Sequence, residues 1–268
     1  MVAPDSPKRP ASSEEGGQPP GASPPIAIKI CCIASLEEAR LALRHGATSI
    51  GLVSRMPSGP GPIPEALIAE IAAALPRDAD SVLLTSKQTV PEIAGQHRRC
   101  RTRSIQLCAM LPREAYPTLR AELSGVRIIQ VLHVPAGHGL REAARLAAHV
   151  DAFLLDSGGI DEPAASPERT GAPGRTLRDG GCEAGDIAPR NLRTLGGTGR
   201  THDWEKSRAI REAVSLPVYL AGGLRPENVA AAIRQVRPYG VDVCTGVRTA
   251  GRLDEAKLKA FIRAARET

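Results

Sequence analysis

The chain has 268 residues, 42% of them hydrophobic, and this hydrophobicity rests on Ala, Leu, Val and Ile, since only three Tyr, two Phe and one Trp occur. That length suits one α/β barrel at least as well as two ordinary domains, and small branched side chains suit its layered interior, whereas so few rings argue against a surface that stacks nucleic-acid bases. The formal charge of +6 is scattered along the chain, and its nearest cluster, His97-Arg98-Arg99-Cys100-Arg101 with Arg103, reads as the solvated end of a helix, so no nucleic-acid partner is expected.

Cysteines stand at 31, 32, 100, 108, 182 and 244, without C-x-x-C pairs or the density of a secreted disulfide scaffold, so they read as reduced thiols and imply no zinc site. The amino terminus lacks an apolar signal core and no stretch approaches the roughly 18 apolar residues of a membrane span. A cytoplasmic chain with no membrane partner is the expectation.

In chain order, residues 1–25 hold seven prolines among Gly, Ser and Glu and read as a disordered tail. The barrel should occupy 26–268. The β-branched run Ile26-Ala-Ile-Lys-Ile-Cys31 opens it as a first strand, Ser35-Leu-Glu-Glu38 has the spacing of a capping box, and Gly46 stops the helix it starts. Strands are then predicted near 48–53, 81–85, 104–108, 126–133, 151–156, 216–221 and 240–246. Helices alternate with them near 64–75, 89–99, 112–122, 139–149, 204–213, 226–236 and 254–266. Eight apolar strands, each followed by a helix, call for a parallel sheet buried on both faces and closed on itself: a single (β/α)8 TIM barrel, with an open doubly wound sheet as the alternative. Residues 157–195 break the rhythm. Rich in Gly, Pro and charge, they read as an insertion loop after strand six, disordered or a lid over the mouth.

Three glycine-rich segments sit where strands end: Gly196-Gly197-Thr198-Gly199, Ala221-Gly222-Gly223-Leu224 and Cys244-Thr245-Gly246. Any one could be a simple turn. Together they suggest a phosphate cradle of Gly197, Thr198, Gly222, Gly223, Thr245 and Gly246, because glycine admits an anion to the backbone and barrels commonly bind phosphate in the loops after strands seven and eight. Cys31 ends strand one at the mouth, where a partly exposed thiol could take a proton, although taken alone a cysteine there reads first as a small core residue. The pleat should send its neighbour Cys32 to the opposite face, under the helices. Asp156 ends the apolar run Ala152-Phe-Leu-Leu155, where a carboxylate either caps the next loop or works on a ligand.

Read together, Lys29-Ile-Cys-Cys-Ile33, Phe153-Leu-Leu-Asp156, Gly196-Gly-Thr-Gly-Arg-Thr-His-Asp-Trp204, Leu220-Ala-Gly-Gly-Leu-Arg-Pro-Glu-Asn-Val229 and Tyr239-Gly-Val-Asp-Val-Cys-Thr-Gly-Val247 resemble phosphoribosylanthranilate isomerase in order and spacing. The resemblance covers 26–266 apart from the insertion. It implies a cofactor-free isomerase of tryptophan biosynthesis acting on a small phosphorylated substrate, as monomer or homodimer. Cys31 then aligns with the general base, Asp156 with the general acid, and Gly222, Gly223, Thr245 and Gly246 with the phosphate loops. In the Amadori rearrangement so implied, the acid protonates the ribose ring oxygen to open the sugar and the base removes the C2 proton.

The chain departs from that pattern on the aglycone side. Cys32 stands where the family has glycine, Ser58-Gly-Pro-Gly-Pro-Ile-Pro-Glu65 lacks the family's arginine, and Gln106-Leu-Cys-Ala109 replaces Q-L-H-G. Arg55 is the candidate substitute cation and Gln106 a further aglycone contact. An isomerase of a different phosphorylated sugar amine, and a noncatalytic phosphometabolite-binding barrel, are the competing readings.

Overall fold

The computed structural model describes residues 25–57, 59–134, 139–157 and 203–268. The expected tail apart from Pro25, the expected insertion apart from Ser157, and Gly197 and Thr198 lie outside the described residues.

Eight parallel strands close in sequence order: β1 Ala27–Ile30, β2 Ser49–Val53, β3 Asp80–Thr85, β4 Ser104–Leu107, β5 Arg127–His133, β6 Ala152–Asp156, β7 Val218–Leu220 and β8 Gly240–Val243. The helices α1 Leu36–Arg44, α2 Glu65–Ala74, α3 Val90–Cys100, α4 Ala115–Glu122, α5 Gly139–Leu146, α6 Trp204–Ala213, α7 Val229–Val236 and α8 Glu255–Arg266 follow them one by one. The barrel is closed by β8 pairing with β1, Lys29 opposite Asp242 and Ile30 opposite Val243.

Strand alternation divides the interior into two cores. Along β1, Ile28 and Ile30 face the helices and join Ile50, Leu83, Ile105, Phe153 and Phe261, all fully buried. Ala27 and Cys31 face the lumen with Val82, Leu84, Val131, Leu154 and Tyr219. Each such fully buried aliphatic side chain contributes roughly 1.5–3 kcal/mol of transfer free energy. Among the polar side chains on the lumen face, a cation and an anion are paired: Lys29 Nζ lies 2.9 Å from Asp242 Oδ1, with Lys29 fully buried.

Local signals account for the helix ends. Ser35 caps α1 by accepting from the Glu38 amide at 3.1 Å, Gly46 stops it at φ 101°, and Asp203 and Asp254 cap α6 and α8. The basic cluster is the end of α3: Arg99 pairs with Glu65 and Arg98 with Glu122, while Arg101 forms the left-handed cap. Two expectations change at the mouth. Strand eight stops at Val243, and Thr245–Val247 winds into a 3-10 turn. A short hairpin then joins β9 Arg248–Thr249 to β10 Arg252–Leu253 through Ala250 and Gly251, both at positive φ as a tight hairpin turn of this twist requires. Among the described residues no helix is long and apolar enough to cross a membrane.

Candidate active site at the barrel mouth

The carboxyl ends of the strands surround a cavity, open to solvent at the top, whose wall includes Cys31, Asp156, Gly222, Gly223, Thr245 and Gln106. Six residues predicted from separate stretches of sequence therefore meet in one place. Arg55 is exposed and borders a neighbouring groove with Lys87 and Glu92, not this cavity. The side chain turns outward beyond the end of β2, and its backbone carbonyl accepts from the Ser86 hydroxyl at 3.3 Å.

Cys31 follows β1, its amide donating to the Val243 carbonyl at 2.8 Å and its carbonyl accepting from Arg248 at 3.3 Å. Below it lies Lys29. Burial alone would pull the Lys29 pKa down, but attraction to Asp242 and to the Cys31 sulfur outweighs burial and the net shift is upward, so the ammonium stays charged in the lumen. Gly51 in β2 makes the room: a Cβ there would stand 3.0 Å from the Cys31 sulfur and 3.2 Å from the Lys29 nitrogen. A thiolate at Cys31 would thus face a fixed positive charge held in the buried lumen.

Cys32 does not turn under the helices, contrary to the alternation expected of it. The strand has ended at Ile30, and Cys32 adopts φ 61°, a left-handed conformation that swings its side chain into the same mouth. Its Sγ sits 3.5 Å from the Pro60 carbonyl and 2.7 Å from the Cys244 sulfur. Among the described residues four thiols line the cavity, and they differ: burial, then the proximity of Cys31, pushes Cys108 up to about 12, so it remains a neutral thiol.

Asp156 ends β6 nearly buried, one Oδ1 accepting from the Ser157 amide at 2.7 Å, and pairs in register with His133 of β5. Facing it, Gly222 has φ 84° and Gly223 φ 61°, turning the backbone after β7 into a bend that only glycine adopts cheaply. A Cβ on Gly222 would come within 2.7 Å of the Ser157 amide nitrogen. Asn228 fixes this loop from below, accepting from the Arg225 amide at 2.9 Å and donating to the Gly223 carbonyl at 3.0 Å. A Cβ on Gly246 would collide with the Leu224 carbonyl, so glycine there lets the loop after β8 pack closely on the loop after β7. The result is a backbone concavity suited to an anion.

On the β4–β5 side, Gln106 Oε1 and His133 Nδ1 are buried without a hydrogen-bond partner among the described residues, and both residues line the cavity. Each such orphan costs about 1–3 kcal/mol until a ligand satisfies it. Lys29, Asp242, His133, Cys244 and Arg248 were missed by the sequence reading. The reasoning that singled out Asp156, a charge inside an apolar run, applies equally to Lys29 and Asp242.

The comparisons with known proteins agree with this geometry. The family model described as N-(5'phosphoribosyl)anthranilate (PRA) isomerase matches residues 184–264. N-(5'-phosphoribosyl)anthranilate isomerase 1 of Methanosarcina mazei is 34% identical over 236 residues, covering 88% of this chain and 92% of the relative. This chain belongs to the phosphoribosylanthranilate isomerase family. Family members solved from Pyrococcus furiosus and Thermococcus kodakaraensis superpose with TM-scores of 0.66 at 26% and 28% identity, each over 91% of this chain and the whole of the other. Among the described residues, no group of three or more His, Cys, Asp and Glu side chains is arranged to hold a metal ion.

Proposed function

We propose that this isomerase opens the ribose ring of N-(5'-phosphoribosyl)anthranilate and converts it to the corresponding aminodeoxyribulose phosphate, an intramolecular oxidation–reduction within tryptophan biosynthesis. Asp156 acts as general acid and gives its proton to the ring oxygen as the C1–O bond breaks, leaving a C1–nitrogen iminium. Cys31, as thiolate, takes the C2 proton, and the C2–H electrons move into a C1=C2 enolamine whose tautomer is the ketone. The single observation that supports this reading most is that a thiol from β1 and a carboxylate from β6 share one cavity with the paired glycine loops after β7 and β8. Anchoring the phosphate at those loops would lay the sugar between the two side chains, the positioning on which proton transfer depends.

Lys29 supports the base by its charge, and Asp242 holds that charge in the lumen. On the far wall, Gln106 and His133 offer the unpartnered polar atoms to the aglycone. The test is rescue of a tryptophan auxotroph lacking the isomerase. The wild-type chain should restore growth and Asp156→Asn should not; failure of the wild type, expressed and folded, would favour a different phosphorylated sugar amine as substrate.

A further inference from the structure

The proposed chemistry uses one of the four mouth thiols and leaves Cys32 and Cys244 without a task. Their sulfurs are 2.7 Å apart, although 212 residues separate them in sequence. Cys32 is held there at some expense, since a left-handed backbone at a residue with a Cβ costs roughly 1–2 kcal/mol and glycine would avoid it. Cys244 is partly exposed in a cavity open to solvent, so small molecules can reach it.

We propose that Cys32 and Cys244 form a reversible thiol–disulfide modification site, oxidised by small-molecule disulfides, which ties the loop of the base to the phosphate loop. A disulfide bond is about 2.05 Å long, so closing the pair asks for a shift of only about 0.7 Å. The two sulfurs are not equivalent. The close contact with Cys32, opposed by burial and aided by Arg248, holds the partly exposed Cys244 thiol below its ordinary range, while the contacts with Cys244 and Cys31, together with burial, push Cys32 up.

Cys244 is therefore the attacking thiolate and Cys32 the resolving thiol. The Cys244 thiolate attacks one sulfur of R–S–S–R, forming a Cys244–S–S–R bond and expelling RS⁻. Cys32, giving its proton to that thiolate, then attacks the Cys244 sulfur and expels the second RS⁻. Two protein thiols are oxidised and one small disulfide is reduced to two thiols. Cys32 is the peptide neighbour of Cys31 and Cys244 the neighbour of Thr245, so the bond fixes base and phosphate loop in one spacing. In a reducing compartment such a bond forms only transiently, which suits a regulatory modification.

The effect on turnover rests on the isomerase reading, whereas formation of the bond does not, and the experiment separates the two. The full-length reduced chain is treated with 2-hydroxyethyl disulfide and its peptides are mapped by mass spectrometry without reduction, alongside Cys32→Gly and Cys244→Ala. Glycine suits the Cys32 backbone, so the first variant should fold. The expected result is a Cys32–Cys244 cross-linked peptide in the wild type, a mixed disulfide stalled on Cys244 in Cys32→Gly, and no adduct at Cys32 in Cys244→Ala. Turnover of the oxidised wild type should fall on the order of 100-fold, as a misplacement near one ångström would give, and dithiothreitol should restore it, each sample being compared with its own reduced form. A cross-link through another pair, or none while other thiols react, overturns the proposal. A Cys32–Cys244 cross-link with unchanged turnover overturns its regulatory half. A reduced wild type without turnover would refute the isomerase reading and leave the peptide map to decide the site.

Discussion

The loops after β7 and β8 and the strand ends of β2 and β4 face each other across one cavity and are built from different materials. The first side is backbone: Gly222 and Gly223 in left-handed conformations, Gly246 against a carbonyl, and Asn228 holding the bend. The second is side chain: Gln106 with an unpartnered oxygen, Cys108 as a neutral thiol, and Arg55 turned out to solvent. A backbone site tolerates almost no substitution, because adding one carbon to it causes a clash. A side-chain site can be rewritten residue by residue, and this is the side on which the chain departs from its family's pattern.

Substitutions can break or sharpen this contrast. The largest effect belongs to the chemistry between the two sides: Cys31→Ala and Asp156→Asn should each lower kcat by about 10²- to 10⁴-fold with KM little changed, and the double variant should lose far less than the product, as steady-state kinetics would show. Next in size is the lumen pair. Lys29→Met leaves Asp242 buried and uncompensated and should cost about 3–5 kcal/mol in urea unfolding, whereas replacing both residues with apolar ones should recover most of it.

Gly222→Ala tests the backbone side directly. Strain at φ 84° plus the approach to Ser157 should raise KM on the order of tenfold and abolish the rise in Tm that millimolar phosphosugar gives the wild type; an unchanged thermal shift would remove the phosphate loop from the site. Gln106→Leu sharpens the opposite side: folding stability should hold or rise as the orphaned oxygen disappears, while KM rises by about 1 kcal/mol, roughly fivefold. Arg55→Ala should be the smallest, under about twofold in kcat/KM, since an exposed cation off the cavity has little to give. A large loss there would mean that the groove beside Lys87 takes part in binding.

The barrel was legible because its signals repeat: apolar strand, amphipathic helix, cap, glycine. Gly222, Gly223 and Gly246 were legible for the reason just given, that a backbone conformation leaves a mark on the sequence. Cys32 was misread because pleat alternation was carried two residues past Ile30, where the strand stops, and nothing in a lone Cys announces a left-handed φ. The family's glycine at that position was the available clue. Arg55 was misplaced because a strand-end position does not fix which way a long side chain turns. Lys29 and Asp242 each carry the same mark as Asp156, a charge inside an apolar run, but their pairing becomes visible only when the register sets them opposite one another.

Arg248 carries a consequence of another kind. It grips the carbonyls of Cys31 and Cys32 and pairs with Glu38 at 3.2 Å, across 210 residues of chain; Lys29–Asp242 spans 213 and Cys32–Cys244 spans 212. These three sets of contacts around the base therefore cross the one seam where the first unit of the barrel meets the last. During synthesis the base is made more than 200 residues before the partners that seat it, so these contacts form only when the last strand and helix of the barrel arrive, after a long loop has been closed.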